Sequence, residues 1–197
     1  MPCPGVIILA AGTSARMGAA KQLLDCAGEP LLLRMVRIAL ASQAEQVVVV
    51  LGARMQECAA VLAEQPVRLI ENAAWQEGMA SSIRAGVAAL PPEVEGCVIM
   101  LGDQPLVTPA LLDQMFAAAQ PIVAVAYDGI AGPPVYFARR FFDELLALQG
   151  EHGARKLLQA HAAEVTSIPF AAAACDLDTP QDYERWVTST AGPARDM

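Results

Sequence analysis

The chain has 197 residues and carries 13 Lys+Arg against 21 Asp+Glu, a formal net charge of −8. With 55% hydrophobic and 17% charged residues it has the composition of a packed globular protein, which excludes disorder for the bulk of the chain. The acidic balance excludes a protein that tracks a nucleic-acid backbone, since that requires clustered positive charge, but a small phosphorylated ligand needs only a few well-placed cations.

A chain of this length forms a single domain and buries enough surface to need no staple. Its five cysteines, Cys3, Cys26, Cys58, Cys97 and Cys175, are scattered with no C-x-x-C pair, so reduced thiols in a cytoplasmic protein are expected. No basic region precedes the apolar run Val6–Ala11, and no apolar run reaches membrane-spanning length. Neither a signal peptide nor a membrane contact is expected.

In chain order, Val6–Leu9, Val47–Leu51, Val67–Ile70 and Val98–Leu101 read as strands buried on both faces, with Ile122–Tyr127 a fifth. Helical patterns fill the intervals, over Leu31–Ser42, Ala53–Glu64, Met79–Leu90 and Pro109–Ala119. Thr108-Pro109 supplies an N-cap followed by proline at the first helical position. This alternation predicts an α/β fold, a mostly parallel sheet with helices on both faces. After Tyr127 the rhythm changes. Gly129–Pro134 reads as a breaker-rich loop and Val135–Phe137 as a short strand. Helices over Arg139–Leu148 and Gly153–Ala162 and a strand over Val165–Pro169 follow. Thr179-Pro180-Gln181-Asp182 reads as a cap opening a last helix that ends near Val187. One domain over residues 1–187 and a frayed tail over 188–197 are expected.

The strongest chemical signal is Leu9-Ala10-Ala11-Gly12-Thr13-Ser14-Ala15-Arg16-Met17-Gly18, followed by Lys21. It begins where the first strand ends, the edge at which open α/β sheets bind ligands. Gly12 and Gly18 let backbone N–H groups approach an anion, Thr13 and Ser14 add donors, and Arg16 and Lys21 are the only cations in the first 33 residues. The spacing is neither a Walker A motif nor G-x-G-x-x-G. The plain alternative is a glycine-rich turn with solvated cations.

Gly102-Asp103-Gln104-Pro105 follows another strand, where Asp103 either holds a hard cation such as Mg²⁺ or forms an Asx turn. Asp176 and Asp178 precede the cap at Thr179; they are expected to point to opposite faces, one reaching the site, or else to complement the helix dipole. Asn72–Ser82 contains Gly78, Ser81 and Ser82 just before a helix and offers N–H groups and hydroxyls to a base or sugar; the alternative is a capped helix with Trp75 in the core. His152 and His161 lack metalloprotease spacing, no G-x-S-x-G elbow is present, and Met17, Met35 and Met79 read as core filler.

Together these residues resemble the MobA-like nucleotidyltransferases, and most closely the molybdenum cofactor cytidylyltransferases. The match is to a loop of form L-A-A-G-x-S-x-R-M-G-x-x-K, here Leu9–Lys21. It continues through Asn72, Trp75, Gly78-Met79, Ser81-Ser82 and Gly102-Asp103-Gln104-Pro105 to Asp176–Asp182. The resemblance implies a Rossmann-like fold and a cytoplasmic enzyme that joins a nucleotide to a phosphorylated pterin and releases pyrophosphate. By the same resemblance Asp103 and Asp178 would hold Mg²⁺, and Arg16 and Lys21 the triphosphate. Leu9, Ala10, Ala11, Gly12, Thr13, Ser14, Gly78, Ser81 and Ser82 would bind the nucleotide. Ala10-Ala11, where guanylyl-transferring relatives carry Ala-Gly, favours CTP over GTP. The partners implied are the triphosphate, the pterin cofactor, and a molybdoenzyme or its chaperone. Two segments depart from the pattern: Glu151 stands where relatives carry Asp, and Gly132-Pro133-Pro134-Val135 only approximates Gly-His-Pro-Val at the acceptor pocket. A guanylyl or sugar-phosphate nucleotidyltransferase, and a non-catalytic nucleotide sensor, are the alternatives. Attack by a phosphate oxygen uses a nucleophile that is already anionic, so no general base is required.

Overall fold

In the computed structural model, which describes residues 3–127, 129–151 and 153–190, strand β1 (Cys3–Ala10) lies inside a seven-stranded sheet. Val6 and Ile8 feed one hydrophobic core and Ile7 and Leu9 the other. This two-sided burial is why the strand reads as continuously apolar. β2 (Gln46–Leu51) and β3 (Arg68–Glu71) extend the sheet in parallel on one side of β1, and β4 (Val94–Leu101) pairs in parallel on the other. Beyond β4 come β6 (Ile130–Ala138), β5 (Ile122–Tyr127) and β7 (Val165–Pro169), giving the order β3-β2-β1-β4-β6-β5-β7. β6 runs antiparallel to both its neighbours, and β5 and β7 pair in parallel. The chain winds outward from β1 to β3 and returns to β4, so the topological switch point falls between β1 and β4.

Helices cover both faces. The core holding Val6 and Ile8 is closed by α1 (Leu31–Leu40), α2 (Met55–Val61), α4 (Pro109–Ala117) and α7 (Pro180–Thr190). In α1 the buried positions Leu31, Leu32, Met35, Val36 and Ala39 form one helical stripe. The opposite core is closed by α3 (Met79–Ala88), α5 (Phe142–Leu146) and α6 (Arg155–Ala160). The expected caps are present. Thr108 Oγ1 accepts from the Leu111 N–H at 3.2 Å, and Thr179 and Asp182 bond reciprocally, the Thr179 N–H donating to Asp182 Oδ2 at 2.8 Å and the Asp182 N–H to Thr179 Oγ1 at 3.2 Å.

The chain departs from the sequence expectation in its second half. Gly129–Pro134 is not a loop: from Ile130 onward it belongs to β6, one continuous strand through Ala138. The register against β5 jumps from Ala124↔Val135 to Val125↔Gly132, so Pro133 and Pro134 sit in a bulge where no ladder N–H is needed. The last helix also runs to Thr190, past the expected end near Val187, so residues 188–190 are helical and not frayed; residues 191–197 of the expected tail lie outside those described. Among the described residues no helix is long and apolar enough to cross a membrane.

Gly86 sets how closely α3 approaches the sheet. A Cβ there would lie 2.5 Å from Ile7 Cγ2 and 3.1 Å from Val50 Cγ2, and both side chains are fully buried with no room to yield. Gly86→Ala gains about 0.5–1 kcal/mol of helix preference but overpacks the core at a cost of about 1–3 kcal/mol. The clash wins, so the variant is expected to unfold at lower urea concentration with an unchanged m-value.

Candidate active site

The loop after β1 folds around one buried side chain. Gln22, 2% exposed, donates from Nε2 to the carbonyls of Gly12 at 2.9 Å and Ala10 at 3.3 Å. Its Oε1 accepts from Ser14 Oγ at 3.0 Å, and Ser14 Oγ in turn accepts from the Lys21 N–H at 3.2 Å. These bonds hold Ser14 in the left-handed region at φ 59°, unusual for a residue with a side chain. The loop is thus a braced cradle with Gly12, Thr13 and Arg16 facing a cleft.

Across the switch point, Gly102 continues the sheet by donating to the Leu9 carbonyl at 3.0 Å, which delivers Asp103 to the end of β4. The Asp103 carbonyl accepts from the Leu177 N–H at 3.0 Å and ties down the acidic segment before α7. Lys21 Nζ bridges the two elements, bonded to Asp103 Oδ2 and, at 2.8 Å, to Asp178 Oδ1; Arg16 Nη2 meets Asp178 Oδ2 at 2.8 Å. Both acidic residues of the 176–178 pair line the cleft, which corrects the expectation that they would split between faces. Residues i and i+2 of an extended segment share a side, and here Leu177 between them is the one turned inward, fully buried.

The electrostatics follow from this crowding. Burial, the largest influence on Lys21, would lower its pKa, but the Asp103 and Asp178 carboxylates outweigh it and hold the ammonium above its ordinary value. Burial and then the neighbouring Asp103 charge push Asp176 up to about 6, with Asp178 adding to the rise. Asp103 Oδ1 and Asp176 Oδ1 are buried without a hydrogen-bond partner. Unpartnered buried carboxylate oxygens are costly unless a cation meets them. Among the described residues no three His, Cys, Asp or Glu side chains form a closed metal site. A hard divalent cation fits this donor set in its open form, in which one or two carboxylates share the ion with substrate phosphates and water.

A third wall comes from the β3–α3 connection. Asn72, 5% exposed, donates from Nδ2 to Ser81 Oγ at 2.8 Å and Ser82 Oγ at 3.0 Å, and its Oδ1 accepts from the Ala74 N–H at 3.0 Å. Gly78 has φ +102°, and a Cβ there would sit 2.8 Å from Glu151 Cα and from the Gly150 carbonyl oxygen, so glycine alone lets these loops meet.

The resulting open cleft has a volume of about 480 Å³. Of the residues singled out in the sequence, Leu9, Ala10, Ala11, Gly12, Thr13, Arg16, Lys21, Gly78, Ser82, Asp103 and Asp178 line it. Ser14 and Ser81 do not: their hydroxyls are spent on Gln22 and on the Gly78 carbonyl at 2.8 Å. Trp75 lines the cleft and is only partly buried, so the core alternative for it does not hold. Met79 is 41% exposed at its edge and is not core filler, whereas Met17 and Met35 are buried. Gln22, Gln76 and Glu151 also line it. Nothing in periodicity marks Gln22; its adjacency to Lys21 is the only sequence cue.

A glycine-rich cradle facing paired cations and carboxylates, at the carboxyl edge of a parallel sheet, defines a nucleotide-handling α/β protein. The chain belongs to the MobA-like NTP transferase family: the model of that domain matches residues 6–165, and the protein is a nucleotidyltransferase of this family. It is 31% identical over 192 residues to the purine catabolism protein PucB of Bacillus subtilis, covering 90% of this chain and 93% of that one. It is also 32% identical to nicotine blue oxidoreductase of Paenarthrobacter nicotinovorans, over 68% of this chain and 67% of the relative. Among solved structures, Rv0371c of Mycobacterium tuberculosis superimposes with a TM-score of 0.84 at 30% identity, covering 95% of this chain and 98% of the other. A manganese complex of the same mycobacterial protein matches at 0.79 and 29% identity, covering 94% and 98%.

Asp176 makes the site pH-sensitive. Its folded-state pKa, about 6, lies above the ordinary aspartate value, so the folded form binds the proton more tightly and loses stability as pH rises from 4 to 6. Asp176→Asn removes that penalty. The variant is expected to exceed wild type in urea-unfolding stability at pH 7.5, with the difference fading as pH falls from 6 to 4.

Proposed function

We propose that the protein transfers CMP from CTP to the terminal phosphate of a molybdopterin-type cofactor, releasing pyrophosphate, with Mg²⁺ as the assisting cation. The observation that carries this reading is the bridge from Lys21 to Asp103 and Asp178, with Asp103 Oδ1 and Asp176 Oδ1 left unpartnered beside it. Asp103 and Asp178 would hold the cation, with Asp176 adjoining. Mg²⁺ at that point supplies charge neutralisation on the triphosphate. The manganese complex of the similar mycobacterial protein supports a divalent cation in this fold. The pterin acceptor rests on the Leu9–Lys21 and Gly102–Pro105 resemblance and on membership of the MobA-like family.

The chain's own residues do the rest. Backbone N–H groups of the Gly12–Thr13 turn and the side chains of Arg16 and Lys21 bind and orient the triphosphate. An acceptor phosphate oxygen attacks the α-phosphorus; that P–O bond forms as the bond from the α-phosphorus to the bridging oxygen breaks, and pyrophosphate leaves with the electron pair. The nucleophile is already anionic, so catalysis consists of in-line positioning and electrostatic stabilisation. Ala10 and Ala11, 6% and 5% exposed, border the base. A Cβ on Gly52 would lie 2.9 Å from both Ala11 Cβ and Trp75 Cβ, so these two residues converge into one wall and the methyl narrows the space for a purine.

One steric methyl is worth about 1–3 kcal/mol, or roughly 10- to 200-fold in kcat/KM. Pyrophosphate release with Mg²⁺ is therefore expected to favour CTP over GTP by that order, and Ala11→Gly to narrow the gap. A GTP preference, or equal rates, would assign base recognition elsewhere. Asp103→Asn should nearly abolish pyrophosphate release and leave far-UV circular dichroism unchanged, with Asp178→Asn also severe. Full activity in both would remove these carboxylates from the chemistry.

A further inference from the structure

One side chain decides which way the peptide groups of the turn after β1 point. Three successive carbonyls are taken up by the protein there. Gln22 Nε2 donates to those of Ala10 at 3.3 Å and Gly12 at 2.9 Å, and the Ala53 N–H donates to that of Ala11 at 3.1 Å. In a planar trans peptide the C=O and N–H groups point in opposite directions, so each captured carbonyl turns the following N–H away from its captor. The N–H groups of Gly12 and Thr13 are left with no acceptor among the described residues. Both residues line the cleft, and a Cβ on Gly12 would meet nothing within 4 Å, so the turn borders open space. Gln22 is the buried residue of the short 3-10 turn Lys21–Leu23, while Lys21 beside it reaches out to Asp103 and Asp178. Its Nε2 serves two carbonyls and its Oε1 accepts from Ser14 Oγ at 3.0 Å, a division that an uncharged amide satisfies and a carboxylate does not.

We infer that Gln22 is a positioning residue for the triphosphate. By holding the Gly12 carbonyl it aims the Thr13 N–H at a phosphate oxygen, and by holding that of Ala10 it fixes the base of the turn from which the Gly12 N–H projects. The inference rests on the transferase reading above and adds a residue whose own polar atoms are spent inside the loop. Two replacements show what the amide does. Without a donor at position 22 the Gly12–Thr13 peptide is free to turn over. A turned peptide presents its carbonyl to the phosphates and exchanges an attraction for a repulsion. A glutamate is nearly the same size, but its carboxylate would face two carbonyl oxygens. It would also add negative charge to a cleft that already has more carboxylates than cations. A protonated glutamate carries one O–H donor, enough to hold the Gly12 carbonyl again. Hydrogen bonds to a charged acceptor are the strong ones, so losing the orientation costs at least about tenfold in affinity.

The probe is inorganic tripolyphosphate with Mg²⁺, which engages the turn without a base or an acceptor. Calorimetry on the full wild-type chain should show binding, and amide NMR should show the Gly12 and Thr13 N–H protons moving downfield as the probe is added. Gln22→Met, close in size but without donor or acceptor, should weaken binding at least about tenfold. Gln22→Glu should bind as weakly at pH 8 and recover towards the wild-type affinity, measured at the same pH, as the pH falls to 5.5. Gln22→Met should stay weak at both. A packing role alone would give no such recovery. Gln43→Met, exposed and outside the cleft, should bind as wild type does. Thermal unfolding checks that the variants are folded, and the wild-type amide shifts decide the matter if they are not. No binding to wild type, unmoved Gly12 and Thr13 amides, unchanged affinity in Gln22→Met, or no recovery of Gln22→Glu at pH 5.5 would each overturn the assignment. Amide shifts and recovery in a protein that releases no pyrophosphate from CTP would uphold the role of Gln22 and refute the transferase reading. Pyrophosphate release in wild type, with Gln22→Met binding the probe equally well, would do the reverse.

Discussion

Lys21 is the point on which the site's geometry turns. Its ammonium joins the loop after β1 to the end of β4 and to the segment before α7, three elements far apart in the chain. Without that charge, Asp103, Asp176 and Asp178 would repel one another in a half-buried space. Part of the strain remains visible, since Asp176 titrates near 6 and two carboxylate oxygens have no partner. The cleft's ionisable lining of Arg16, Lys21, Asp103, Glu151, Asp176 and Asp178 therefore has more carboxylates than cations. Such a lining repels a bare triphosphate unless further positive charge accompanies it. On the proposed reading Asp103 and Asp178 would hold the ion, which would supply charge neutralisation, and Lys21 and Arg16 would bind the phosphates.

Two buried amides keep this arrangement in place. Gln22 braces the first loop through Ala10, Gly12 and Ser14, and Asn72 braces the third wall through Ala74, Ser81 and Ser82. A buried polar side chain is costly unless its hydrogen-bonding capacity is used, and a used one fixes its neighbours because every alternative conformation breaks several bonds at once. Gln104, fully buried, uses only its donor: Nε2 donates to the Ala173 carbonyl at 3.1 Å and the Pro133 carbonyl at 3.3 Å, while Oε1 has no partner. It thereby ties the bulge of β6 to the turn that precedes the acidic segment.

What the sequence revealed and what it hid divide along physical lines. Strands β1, β2, β4, β5 and β7 were legible because each is apolar or bounded by turn residues, and the two capping motifs were legible because they are local; β3 was legible as a strand, but as the sheet's edge it has no buried residue and is not buried on both faces as expected. The first loop stood out because its two cations interrupt an otherwise uncharged stretch. Of β6 only Val135–Phe137 was legible; its first part was hidden, since a Gly-Pro-Pro run is a breaker everywhere except in a bulge, and only the register of a partner strand creates one. Ser14 and Ser81 looked like ligand donors because a hydroxyl's partner is invisible without tertiary structure; Gln22 and Asn72, which take them up, are polar residues whose burial no periodicity announces. Met79 looked like core because it is apolar, but it is 41% exposed, and its sulfur occupies the space a Cβ at Gly153, 74 positions away in the chain, would fill.

Among the described residues the site shows no activated nucleophile, which fits its other features. His161 is occupied on both ring nitrogens, by Glu144 at 2.9 Å and Glu164 at 3.2 Å, and does not line the cleft. The thiols of Cys26 and Cys58 are pushed up to about 11 by burial, and burial raises Cys97 further. None of these groups can serve as a nucleophile near neutral pH, when the reactive form is the thiolate. A reaction whose attacking group arrives already charged makes no such demand. It requires that two anionic substrates be brought within bonding distance, which costs electrostatic repulsion, and that the pair be held in line, which costs entropy. The cations and the cation-attracting carboxylates act on the first cost. On the proposed reading the cleft acts on the second, because its walls rise from β1 and β4, whose central residues are buried in the packed core.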